Sequence, residues 1–185
     1  MDARGALTGG LVGAVFGLVF VLVNSGGLGT WTTVLRVAGV VVALLVVADL
    51  VRRLGPAAGG SDRASTPASS PWGRGYRLVV LAEAVALFGG VQVVVRLLDA
   101  PRYAIAWVCF VVGVHFVALG ALWRVTRFQV LAAVLVALSF AAVLVGASGG
   151  SDAAVRLVAG VGAGVVLLAF AASSGRGAVA RAAAR

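Results

Sequence analysis

Six runs of about twenty apolar residues follow one another along this chain, and no other feature limits its fold as strongly. They cover residues 6–23, 31–51, 76–98, 104–123, 128–145 and 155–172. At a helical rise of about 1.5 Å per residue, each run is long enough to cross a hydrocarbon layer about 30 Å thick. A backbone in hydrocarbon must satisfy its own hydrogen bonds, which leaves helices and closed barrels. The runs show no period-two alternation of polar and apolar residues, so a barrel is excluded. The expected fold is an all-α, polytopic transmembrane helical bundle. It has six helices in three sequential hairpins, formed as a single integral membrane domain over residues 1–185.

Composition supports that class. Apolar residues make up 62% of the chain and charged residues 11%, against roughly 25% charged in an ordinary soluble domain. A soluble globule could not cover this much apolar surface. A disordered chain, a disulfide scaffold and a collagen-like repeat are excluded on the same grounds. The single cysteine, Cys109, lies inside an apolar run and reads as a buried, inert thiol.

The connections differ in kind. Residues 24–30 form a Gly-rich turn, and 146–154 is Gly/Ser-rich. Residues 52–75 hold Pro56, Pro67 and Pro71 among Gly, Ser and Ala, and read as a flexible linker. Residues 99–103, with Pro101, and 124–127 are tight turns. Residues 173–185 are expected to be a basic tail, disordered or lying on the membrane surface. Every positive charge is an Arg, and with the N-terminus inside eleven fall on inner segments and four (Arg36, Arg96, Arg102, Arg156) on outer ends. The positive-inside rule then puts both termini in the cytoplasm of a cell-membrane protein. The +9 charge reads as topology signals and contacts to anionic lipid headgroups rather than as a nucleic-acid surface. Trp31, Tyr103 and Trp107 would anchor the outer boundary, and Trp72, Tyr76 and Trp123 the inner one. The first run carries only Arg4, beside Asp2, before it and is longer than a usual signal-peptide core, so it is expected to be retained as a helix.

Small residues four apart make smooth stripes on which membrane helices approach closely. Such stripes occur at Gly9, Gly13 and Gly17, at Ala82, Ala86 and Gly90, at Ala133, Ala137 and Ala141, and at Gly160 and Gly164. They predict packing within the chain, with a homo-oligomer or a membrane-protein partner as a further use. The first and last hairpins share a Gly/Ser turn followed by an Arg (Arg36, Arg156) and an Ala–Gly step, which hints at an internal repeat.

Ionisable groups at membrane depth are functional candidates by default. Most of the acids have an interfacial explanation: Asp49 beside Arg52 and Arg53, Asp99 between Arg96 and Arg102, Asp152 four residues before Arg156, and Asp62 beside Arg63. Glu83 has no Arg at three or four residues, and His115 is the only histidine. Counted by rise from Arg77 and Arg124, the two sit at similar depth on consecutive helices that run in opposite directions. Burial favours their neutral forms and mutual attraction their charged ones. Together they form a candidate proton- or cation-binding site; the plain alternative is a polar pair that fixes helix register. Gln92 lies roughly opposite Glu83 on its helix and would bond a different helix, and Asn24 would cap a helix end.

Nothing in the sequence provides a structural zinc set, a P-loop or a nucleophile elbow, so neither an enzyme nor a cofactor nor a metal is expected. Tyr76 followed by Leu81-Ala82-Glu83 resembles the first helix of the small multidrug resistance transporters. That likeness covers under a dozen residues, and two helices precede it here where the family has none. It implies that one carboxylate in a small bundle can serve an exchange cycle. The expected function is a small proton-coupled transporter or permease using Glu83 and His115. The alternatives are a non-enzymatic membrane protein that supports a partner complex and a lipid-associated factor acting through its basic inner surface.

Overall fold

The computed structural model describes the backbone of residues 3–59 and 74–183, and the side chains of 5–54 and 75–174. The described residues are helical, with no strand among them. The elements are α1 (Ala3–Asn24), α2 (Thr30–Gly59), α3 (Arg74–Gln92), α4 (Ala104–Trp123), α5 (Thr126–Ala147), α6 (Asp152–Arg156) and α7 (Gly162–Ala183). A π-helical turn, Val93–Leu97, prolongs α3, and a second, Leu157–Val161, joins α6 to α7. Six stretches are long and apolar enough to cross a membrane: Gly5–Asn24, Thr30–Leu54, Gly75–Leu97, Pro101–Trp123, Thr126–Ala147 and Asp152–Ser174. Large apolar side chains stay uncovered along them, among them Leu44 at 64% and Phe88 at 76% exposure. Only an apolar surrounding makes such a surface favourable.

Two boundaries differ from those the sequence suggests. The linker expected from residue 52 begins later, because α2 runs on to Gly59. The expected tail from residue 173 is helical to Ala183. The physical reason is the same in both places. Hydropathy marks where the apolar run stops, whereas helix needs only backbone bonds and good formers, and Arg and Ala supply these at both ends. Residues 60–73, with Asp62, Arg63 and Trp72, lie outside the described residues.

The chain divides into two compact units, Met1–Thr66 with Gly164–Arg185, and Pro67–Ala163. In the first, α1 packs antiparallel on α2: Gly10 meets Leu50 at one end and Gly39 meets Val21 at the other. The start of α7 crosses α1 where Gly17 and Gly164 face each other, and a Cβ built on Gly17 would lie 2.9 Å from the Gly164 carbonyl. The α1–α2 turn is fastened by polar groups. Asn24 Nδ2 donates to the Phe20 carbonyl at 2.8 Å, Thr32 Oγ1 to the Ser25 carbonyl at 2.9 Å, and Arg36 Nε to Ser25 Oγ at 3.2 Å. At the other end Arg53 and Asp49 pair at 2.6 Å on an exposed surface.

In the second unit α4 lies between α3 and α5. Cys109 is fully buried, and its thiol donates to the Leu135 carbonyl at 3.2 Å. The α5 face that packs inward carries Leu131, Ala132, Leu135, Ser139, Ala142 and Gly146. Of the expected α5 stripe, Ala133 and Ala137 are exposed and Ala141 is only half-buried. Lipid tails are as apolar as Leu, so close packing selects the face, and Ala132, Ser139, Ala142 and Gly146 supply small residues there beside Leu131 and Leu135. Arg124 takes a left-handed conformation (φ 53°) that closes α4 and lets α5 begin two residues later. Gly149 (φ 87°) closes α5, and Ser151 Oγ caps α6 by accepting from the Ala154 N–H at 3.2 Å.

Candidate functional site

The site grows from two helix faces. On α3 the residues at 79, 82, 83 and 86 recur with helical period, and on α4 those at 107, 110, 111, 114, 115 and 118 do the same. The antiparallel helices set these faces against each other around a cleft of about 280 Å³. Among the described residues Glu83 and His115 are its only ionisable lining groups. The rest of the wall is Val and Ala with the rings of Trp107 and Phe110, which lie 5.8 Å apart and tilted by 36°.

The structure brings the two candidate residues together. His115 Nδ1 lies 3.0 Å from Glu83 Oε2, with the side chains 12% and 20% exposed. The contact is close but poorly aligned. An N–H placed on the ring misses the carboxylate oxygen, and Nδ1 is an enclosed nitrogen with no hydrogen-bond partner among the described residues. The pair is therefore a near contact rather than a formed hydrogen bond. The His115 ring also meets Phe116 edge-on at 5.6 Å. From Phe116 a ring series continues through Phe128 and Trp123 to Tyr76.

One further contact sets the width of the cleft. Trp107 Nε1 donates to the Ala86 carbonyl at 3.0 Å. The indole reaches that carbonyl because residue 90 is Gly; a Cβ there would overlap the ring. Ala86 and Gly90, expected only as a smooth stripe, form a seat for Trp107. Trp107, expected as an outer-interface anchor, gives its N–H to the α3–α4 contact. Sequence reasoning missed Trp107 and Phe110 as wall residues, although Trp107 lies eight residues from His115 and Phe110 three from Trp107, within one broad α4 face.

The other small residues fall as follows. Gly13 is buried, 3.5 Å from Ala171 Cβ by a built Cβ, and Gly17 and Gly164 make the α1–α7 crossing. Gly160 is buried in the second π turn. Gly9 is a correction: a Cβ built there meets nothing within 4 Å among the described residues, and Gly10, one position on, takes the contact with Leu50. A helix turns 100° per residue, so the four-residue ladder identified a stripe but not which edge of it is used. Gln92 is exposed and bonds no other helix among the described residues. Of the interfacial pairs, Asp49 and Arg53 meet as expected. Asp152 also meets Arg102 at 3.3 Å, and Arg102 Nη2 donates to the Gly150 carbonyl, which ties the α3–α4 connection to the turn after α5. Asp99 has a left-handed backbone (φ 46°) and forms no ion pair among the described residues.

No group of three or more metal-binding side chains occurs among the described residues. Comparison with protein-family models, with curated proteins and with solved structures finds no match to this chain.

Proposed function

We propose that this multi-pass chain is a small proton-coupled transporter or permease in which Glu83 and His115 bind and pass the proton. The observation that supports this reading is the 3.0 Å approach of the two side chains at mid-helix, in a cleft with no other ionisable wall group among the described residues. Ionisable side chains at such depth are costly, and ion pathways are their commonest use. In this reading both termini face the cytoplasm of a cell membrane, and the Arg-rich ends meet anionic headgroups. The protein carries no catalytic step of its own.

The test is proteoliposomes loaded with a pH-sensitive dye under an imposed proton gradient. Wild-type protein should carry solute-dependent proton flux, and Glu83→Gln should abolish it while thermal stability in detergent is kept. A second reading has a specific observation behind it. No residue of the most apolar α3 window is buried, so α3 leaves a broad apolar face for a membrane partner or a second copy. Absence of flux under every solute tried, with Glu83→Gln lowering thermal stability and a distinct partner trapped by crosslinking in native membranes, would establish that supporting role instead.

A further inference from the structure

We propose that two copies of this chain pair in parallel through one face of α3, joined by the Gln92 amides of the two copies. The proposal does not rest on the transport reading and concerns a different face of the helix.

Gln92 is the observation that carries it. The residue belongs to the apolar span Gly75–Leu97 and lies five residues inside its end, more than one helical turn. It is exposed, and its amide forms no hydrogen bond among the described residues. A helical side chain leans toward the N-terminus of its helix, so Gln92 leans back along the span, away from the nearer headgroups. An amide in hydrocarbon without a partner is costly. Amide bonds between membrane helices relieve that cost.

The face around Gln92 suits a second helix. Leu78, Ala82, Val85, Gly89 and Gln92 follow one another at steps of four and three, the spacing of a coiled-coil seam, and all five are exposed. A Cβ built on Gly89 meets nothing within 4 Å among the described residues. With Ala82 seven residues before it, Gly89 lets another backbone come close. The π turn that starts at Val93 ends this spacing, so the charge of Arg96 falls off the seam. At about 100° per residue, Glu83 lies about 140° from the middle of the seam, and Ala82 alone belongs to both the seam and the cleft wall.

The amide selects the occupant. A carboxamide carries both a donor and an acceptor, so it is complementary to itself. On a two-fold axis along the membrane normal equal positions meet, and the Gln92 Oε1 of each copy accepts from the Nε2 of the other. The Arg bias inserts every copy in the same sense, which is the parallel arrangement that such an axis needs. Lipid tails offer the amide no partner at all.

The test uses the full chain in liposomes and in native membranes. Donor- and acceptor-labelled copies, reconstituted at falling protein-to-lipid ratio, should show energy transfer that follows a monomer–dimer dilution curve. Gln92→Leu should move the midpoint toward higher protein density by about fivefold or more, and Gln92→Asn, which keeps the amide, should move it less. Single cysteines along α3 give a readout that does not depend on that variant. Under mild oxidation in native membranes, Leu78→Cys, Val85→Cys and Gly89→Cys proteins should link to twice the chain mass. Val80→Cys, exposed on the opposite side of α3, should not. A monomer at every density, equal linking through Val80→Cys, or seam cysteines that link only to a different protein would each overturn the pairing. Gln92→Leu pairing as tightly as wild type would remove the amide as its cause and overturn it too. Proton flux from a strictly monomeric protein would reject the pairing and leave the transport reading standing; pairing without flux would do the reverse.

Discussion

At the scale of single residues, the candidate site depends on one glycine as much as on its two ionisable groups. Gly90 leaves the space that Trp107 fills, and the indole N–H then binds the carbonyl of Ala86. Gly90→Ala forces ring and helix apart, and overpacking of this kind costs about 1–3 kcal/mol. Its thermal midpoint in detergent should fall below that of wild type, and Trp107→Phe should partly restore it by giving up the clashing edge. Recovery of full stability by Gly90→Ala alone would refute the seat. The sequence showed the ionisable half of this site. Glu83 and His115 stood out because each lacks a charged neighbour at helical spacing, and equal depth on adjacent antiparallel helices brings them into range. The ring half was hidden, because a Trp near the end of an apolar run has two plausible uses. The position of Gly90 opposite it makes room for the contact with α3.

At the scale of elements, the helices were legible and their edges were not. The apolar runs located all six spans, because backbone in hydrocarbon has few other options. Their ends were misplaced where Arg and Ala carry helix past the apolar limit, as at Gly59 and Ala183. The π turn at Leu157–Val161 left no mark in the sequence, since one extra residue per turn hardly alters an unbroken apolar pattern. Contacts between elements give two further predictions. Gly17→Leu drives a branched side chain into the Gly164 backbone, so it should lower the thermal midpoint in detergent more than Gly9→Leu, which meets open space. Equal effects would place the α1–α7 contact elsewhere. Arg102→Gln removes the cation that ties the α3–α4 connection to Asp152 and Gly150. Amide hydrogen exchange should then rise severalfold at residues 148–152, with little change in α4. Asp152→Asn keeps the bond to the Gly150 carbonyl and should have the smaller effect.

At the scale of the whole molecule, the distribution of Arg makes the sharpest prediction. With eleven Arg on one set of connections and four on the other, single cysteines placed at Ser61 and Ser151 should differ in sidedness. In intact cells an impermeant maleimide should label the Ser151→Cys protein and spare the Ser61→Cys protein; the reverse pattern would invert the topology. Native Cys109 adds no background, being fully buried with its thiol given to Leu135. The exposed faces of α3 carry a further consequence. Within its unit α3 rests chiefly on α4. A guest in the cleft presses on that one helix, and the Trp107 indole proton stands at the contact it strains. Its nuclear magnetic resonance line is thus a built-in strain gauge, moving as each occupant wedges the two helices apart.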